Sequence, residues 1–208
     1  MISAFQGSLL DAGAEFGLGD LGLARRVPLT GGAWLDLLPG WVSGSDSLFG
    51  RLAAAVPWRA ERRPMYDRVL PVPRLLCYYR AGQPLPDPAL AEMMSALSRH
   101  YRAELGESLC TAGLCLYRDG RDSVAWHGDT QGRRVSRTVV AIVSLGAPRT
   151  LSLRPRGGGA PTLRYRLGHG DLLVMGGTCQ RTWEHAVLKT ATAAGPRISV
   201  QFRPEGVR

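Results

Sequence analysis

From residue 72 onward the chain runs in short apolar stretches, rich in β-branched and aromatic residues and broken by Gly and Pro. This pattern predicts strands near 72–79, 111–118, 137–145, 149–154, 162–167, 171–175, 182–188 and 197–203. Two stretches have helical spacing instead. Leu48, Phe49, Leu52, Ala53 and Val56 follow Asp46 and stop at Pro57, and Leu90, Met94, Leu97, Tyr101 and Leu105 form a stripe behind Asp87-Pro88. Asp87 is the expected N-cap of that second helix and Pro88 its first residue. Many short strands without alternating helices predict a mainly β chain with flanking helices, an antiparallel sandwich or jelly roll rather than a parallel α/β sheet.

Residues 1–45, rich in Gly and Leu, read as an N-terminal arm of turns and short strands packed on the core. Residues 46–208 read as a single globular unit. A length of 208 residues with 45% hydrophobic content suffices for one sizeable core. Gly157-Gly158-Gly159 reads as a hairpin loop, since no Gly-Lys-Ser/Thr ending follows to make a phosphate loop. Cys77, Cys110, Cys115 and Cys179 contain no Cys-x-x-Cys pair, and Met1-Ile2-Ser3-Ala4-Phe5 lacks the marks of a signal peptide. Reduced thiols in a cytoplasmic protein are therefore expected; no apolar stretch approaches the roughly 20 residues of a membrane span, and a monomer is the default expectation.

Charge adds a partner class. The net charge is +9 and Lys189 is the sole lysine, so arginine supplies the excess. A basic surface suits a polyanion such as nucleic acid. An arginine-rich codon usage would produce the same number, so charge alone does not decide between these.

His127-Gly128-Asp129 supplies two ligand types one residue apart, on one face of an extended segment. With His185, from the strand-like run 182–187, they make a 2-His-1-carboxylate set, which suits non-haem Fe(II) and leaves positions open for substrate and oxygen. Catalytic zinc could use the same donors. The absence of a His-Glu-x-x-His helix favours iron, as does a second feature. Arg197 and Arg203 lie six apart on one predicted strand, on the face opposite Ile198, Val200 and Phe202, where they could clamp a dicarboxylate co-substrate.

These residues resemble a family, the AlkB-type dioxygenases that use Fe(II) and 2-oxoglutarate to reverse alkylation damage in nucleic acids. The resemblance runs from about Val56 to Arg203. It is carried by Val56-Pro57-Trp58, Pro73-Arg74-Leu75, Leu116-Tyr117-Arg118, the stretch from Asp122 to Asp129, Ser144-Leu145-Gly146, His169-Gly170-Asp171 and the closing Arg-x5-Arg.

The resemblance implies a double-stranded β-helix, with His127, Asp129 and His185 as metal ligands and catalytic centre. It also implies Fe(II), with 2-oxoglutarate and O2 as co-substrates. Arg197, helped by Tyr117, is the expected partner of the distal carboxylate; Arg203 is expected near the metal-bound end, with Ser199 between them. Trp58 and Gln131 are the expected base contacts, and Tyr78, with Tyr79, is an expected substrate-side lid over the site. Independently of the resemblance, the clustering of Arg133, Arg134, Arg137, Arg149, Arg154 and Arg156 beside the metal motif makes them expected phosphate contacts. The implied reaction is oxidative demethylation of N-alkylated bases, with alkylated DNA as the expected polymer and formaldehyde, succinate and CO2 as products. A target base in a duplex would have to be flipped out of the stack.

The chain departs from the family pattern in places. Cys115 and Ser199 stand where the family carries asparagines, Gln131 stands for an acidic residue, and Gly82-Gln83-Pro84-Leu85-Pro86-Asp87 replaces a tyrosine-rich lid. Two alternatives stay open on sequence grounds: the same iron chemistry on a small molecule or protein side chain, and a catalytically degenerate nucleic-acid-binding relative.

Overall fold

The computed structural model describes residues 15–65, 68–130, 135–160, 162–192 and 194–207. In chain order the first half comprises β1 (Gly17–Leu18), β2 (Arg25–Pro28), β3 (Ala33–Leu38), β4 (Val42–Ser43), α1 (Ser45–Ala55), β5 (Arg59–Met65), β6 (Arg68–Tyr79), α2 (Pro88–His100) and α3 (Arg102–Leu105). There follow β7 (Thr111–Tyr117), β8 (Val124–His127), β9 (Val140–Gly146), β10 (Arg149–Pro155), β11 (Leu163–Leu167), β12 (Asp171–Gly177), α4 (Cys179–Thr182), β13 (Trp183–Val187) and β14 (Arg197–Arg203). No helix among the described residues is long and apolar enough to cross a membrane.

Two antiparallel sheets carry the fold. The larger has the order β2-β3-β12-β9-β14-β7-β6-β5 and the smaller β11-β10-β13-β8. Residues 25–38 of the N-terminal region thus supply two strands of the larger sheet, which the composition of that region did not reveal. Alternation along each strand divides the apolar residues between two cores. Ile198, Val200 and Phe202 of β14 face α1 and α2, in a cluster with Leu48, Leu52, Leu90, Met93 and Leu97. On the other face Ile142, Leu173 and Met175 meet Leu151, Leu153 and Trp183 of the smaller sheet.

Both predicted helices form, with local differences. Asp87 caps α2 by accepting from the Ala89 amide at 3.0 Å, with Pro88 in the first turn. Met93, three residues after Leu90, takes the fully buried position and Met94, four after it, packs half-buried against the same core; a 3.6-residue period allows either. The expected stripe to Leu105 is broken at Tyr101, whose backbone leaves helical geometry at φ −92° and ψ 16°. There the Tyr101 hydroxyl donates to Asp36 Oδ2 at 2.9 Å and its ring stacks on Trp34.

Trp34 also explains Gly176. The two are register partners on β3 and β12, and a Cβ at 176 would overlap the indole ring. Gly176→Ala is therefore expected to lower stability by about 1–3 kcal/mol through overpacking. A thermal or denaturant melt checks this, and an unchanged midpoint would show that Trp34 moves freely.

Candidate active site

β8 and β13 pair in the smaller sheet, and His127 and His185 are directly opposite one another in that register. Their ring centroids lie 4.2 Å apart. Asp129 follows two residues after His127, just beyond the end of β8, and ligand atoms of all three residues lie within 4.8 Å of one another. Each donor is oriented. The Ala125 carbonyl, 2.8 Å from His127 Nδ1, can only accept, so Nδ1 carries the proton and Nε2 keeps its lone pair. Arg203 Nε donates to Asp129 Oδ2 at 2.6 Å, which leaves Oδ1 facing His127 Nε2 at 3.8 Å.

Protonation suits a metal. Burial tends to raise the Asp129 carboxyl, but the Arg203 guanidinium and the two imidazoles hold it down at about 2. Burial, then the neighbouring His127 ring, pushes His185 down to about 3 against the pull of Asp129. Burial also lowers His127, with Asp129 opposing. A carboxylate and two neutral imidazoles at this spacing are a donor set that fits Fe(II).

The inner face of β14 forms the neighbouring floor. Arg197 is 1% exposed, donates from Nε to Ser144 Oγ at 2.9 Å, and has a buried Nη1 with no hydrogen-bond partner among the described residues. No carboxylate contacts it among the described residues. Tyr117, its register partner on β7, lies under the guanidinium at 5.2 Å. Burial, then Cys115, pushes the Tyr117 phenol up to about 12, so it stays protonated and able to donate. Arg74 contributes a second buried nitrogen without a hydrogen-bond partner among the described residues, Nε, while its Nη1 donates to the Ser123 carbonyl at 3.0 Å. Buried cations with unfilled hydrogen-bonding capacity require an anion, and a dicarboxylate meets that need.

The remaining predicted residues fall into three groups. Tyr78 lies on the inner face of β6, where its ring borders Gly113 and it neighbours Arg203. Ser199 lies on the floor between the arginines, and Arg156 reaches the site's edge, donating to the Arg181 carbonyl at 2.9 Å beside Gly128. Trp58 is on the other side of the large sheet, packed against the helical core with its indole donating to the Ala53 carbonyl at 3.2 Å. Gln131, Arg133 and Arg134 lie outside the described residues.

Two expected phosphate contacts are otherwise engaged. Arg149 is 4% exposed and donates to the carbonyls of Asp119, Asp122 and Leu188, each at 2.9 Å. It is a staple between loops and is not available to phosphate. Arg154 pairs with Glu184 at 3.1 Å and lies over the Trp126 ring.

Sequence reasoning missed Gln180 and assigned no role to Arg74. Gln180 Oε1 accepts from the Asp129 amide at 2.8 Å, tying the loop after β8 to the short helix α4 that leads into His185. Nothing local in the sequence marks Gln180. Arg74 sits in the Pro73-Arg74-Leu75 motif, which was its available signal.

A jelly roll with such a triad beside a buried arginine floor defines a class, the iron oxygenases that take an acidic co-substrate. Residues 36–203 match the 2OG-Fe(II) oxygenase superfamily. The mouse alpha-ketoglutarate-dependent dioxygenase alkB homolog 3 is 31% identical over 195 residues, covering 84% of this chain and 67% of that protein. The Arabidopsis thaliana DNA oxidative demethylase ALKBH2 is 29% identical, covering 76% and 62%. In fold, the chain is similar to the solved structure of OsALKBH1, with TM-score 0.60 at 15% identity over 87% of this chain and all of that one. A Trichoplax adhaerens prolyl hydroxylase has TM-score 0.58 at 12% identity, covering 81% and 82%. The chain belongs to the 2OG-Fe(II) oxygenase superfamily and, within it, to the AlkB-type dioxygenases. It is a 2-oxoglutarate-dependent dioxygenase.

Proposed function

We propose that the chain oxidatively demethylates N-alkylated bases in nucleic acid, with alkylated DNA as its substrate. The observation that carries this reading is the oriented His127, Asp129, His185 set beside Arg197, a buried cation without an acidic partner among the described residues. The curated relatives named as an alkB homolog and as DNA oxidative demethylases supply the substrate class. The net charge of +9 and the exposed Arg156, Arg164 and Arg166 support a polyanionic partner.

In this reading the three ligands hold Fe(II), and Arg197, Tyr117 and Arg203 hold 2-oxoglutarate. The bound metal and co-substrate supply O2-dependent hydroxylation of the N-methyl carbon, coupled to conversion of 2-oxoglutarate to succinate and CO2. The hydroxylated methyl then leaves as formaldehyde. Arg203 keeps Oδ2 of Asp129 out of competition, so one oxygen faces the metal position. Arg74 and Arg197 attract the dianion into the floor and orient it before substrate arrives. Tyr117, held as a phenol, adds a donor without adding charge.

The test is mass spectrometry of oligonucleotides carrying 1-methyladenine or 3-methylcytosine, incubated with protein, Fe(II), 2-oxoglutarate and ascorbate, with succinate measured in parallel. Methyl loss matched by succinate is expected. Succinate without methyl loss would move the substrate outside alkylated nucleic acid. Neither product from iron-loaded protein would mark a degenerate site.

A further inference from the structure

β14 presents Arg197, Ser199, Gln201 and Arg203 on its inner face, and Gln201 has no part in the reading above. It is the only carboxamide on β7, β9 and β14 and is 8% exposed. Its Nε2 donates to the Ser199 carbonyl at 3.0 Å and to Ser199 Oγ at 2.6 Å, and its Oε1 accepts from the Cys115 thiol at 3.7 Å. A backbone carbonyl only accepts, so the orientation of the amide is set.

The consequences fall on Ser199. Gln201 occupies a lone pair of its hydroxyl, so the hydroxyl's own proton must point elsewhere, and it meets no acceptor among the described residues. Cys115, directly opposite Ser199 in the register, has its S–H turned toward Gln201. Gly113 makes room for this arrangement. A Cβ there would stand 3.2 Å from Gln201 Oε1 and 2.9 Å from Arg203 Nη1.

We propose that Gln201 is a positioning residue for the co-substrate, acting through Ser199: it locks the Ser199 hydroxyl as a hydrogen-bond donor into the floor between Arg197 and Arg203. The chain thereby places one carboxamide at 201 where its family resemblance leads one to expect two, at 115 and 199. This inference rests on the reading of that floor as the 2-oxoglutarate site.

The test is anaerobic titration of the Fe(II)-loaded protein with 2-oxoglutarate, read from the visible charge-transfer absorbance of the chelate. Mn(II) affinity without co-substrate and the thermal midpoint are followed alongside. Gln201→Leu is expected to weaken 2-oxoglutarate about ten-fold or more, as for a lost hydrogen bond to a charged group, with Mn(II) affinity unchanged. Gln201→Glu, nearly isosteric, should weaken it further, because a carboxylate draws the Ser199 proton to itself and repels the dianion. Ser199→Ala should match Gln201→Leu, and the double variant should lose no more than either.

Binding by Gln201→Leu within two-fold of wild type, while Arg197→Met loses it, overturns the role of Gln201 and leaves the floor intact. Unchanged binding in Arg197→Met overturns the floor itself. Additive losses at 199 and 201, or a parallel fall in Mn(II) affinity, would make Gln201 a structural residue only.

Discussion

His127→Ala is expected to abolish turnover and leave the β scaffold folded. His127 lies at the end of β8, an edge strand of the smaller sheet, with 37% of its side chain exposed. Its removal opens no deep cavity. It also strands no charge, because Asp129 keeps Arg203 at 2.6 Å. The stability change should therefore stay within about 1 kcal/mol. Losing a residue that merely supports a metal ligand costs roughly 10–100-fold, so loss of a ligand should exceed that. Asp129→Ala would be a poorer probe, since it leaves the Arg203 cation buried and unpaired. The measurement is succinate formation together with Mn(II) titration and a melt. Undiminished turnover in folded protein would remove His127 from the metal site.

Arg197→Met should separate affinity from stability in the opposite direction to most buried substitutions. Arg197 is a cation at 1% exposure with a free Nη1 and no carboxylate against it among the described residues, so the co-substrate-free protein bears its desolvation. Methionine fills part of the volume and removes that cost, and the melting temperature should hold or rise. Binding of 2-oxoglutarate should weaken by at least about 2 kcal/mol, close to thirty-fold, as for one partner lost from a buried charge pair. Affinity for nucleic acid should not change. If only nucleic-acid affinity fell, Arg197 would belong to phosphate binding.

The sequence was most legible where function and local periodicity coincide. The alternation in Arg197-Ile198-Ser199-Val200-Gln201-Phe202-Arg203 encodes both the strand and its two faces, so the sharing of one face by the arginines could be read without coordinates. The His-x-Asp pair was legible for the same reason, as was the capping of α2 by Asp87. Short strands were expected in the N-terminal region, but their place in the larger sheet was not legible, because it is set by the pairing of β3 with β12 rather than by local composition. Arg149 and Arg156 look alike in sequence, yet one is sealed inside by three carbonyls and the other lies at the surface.

By itself, then, the sequence determined the mainly β class, the two flanking helices, the candidate ligand types and the polar face of β14. Only the tertiary structure decided that His185 stands opposite His127, that Arg203 takes one oxygen of Asp129, that Gln180 braces the Asp129 loop and that Trp58 packs on the helical side. The division has a physical cause. Side-chain direction within a strand follows from the two-residue repeat of the backbone, whereas the identity of a partner 50 or more residues away, such as Gln180 for Asp129, depends on sheet register and on which face each crossing strand presents.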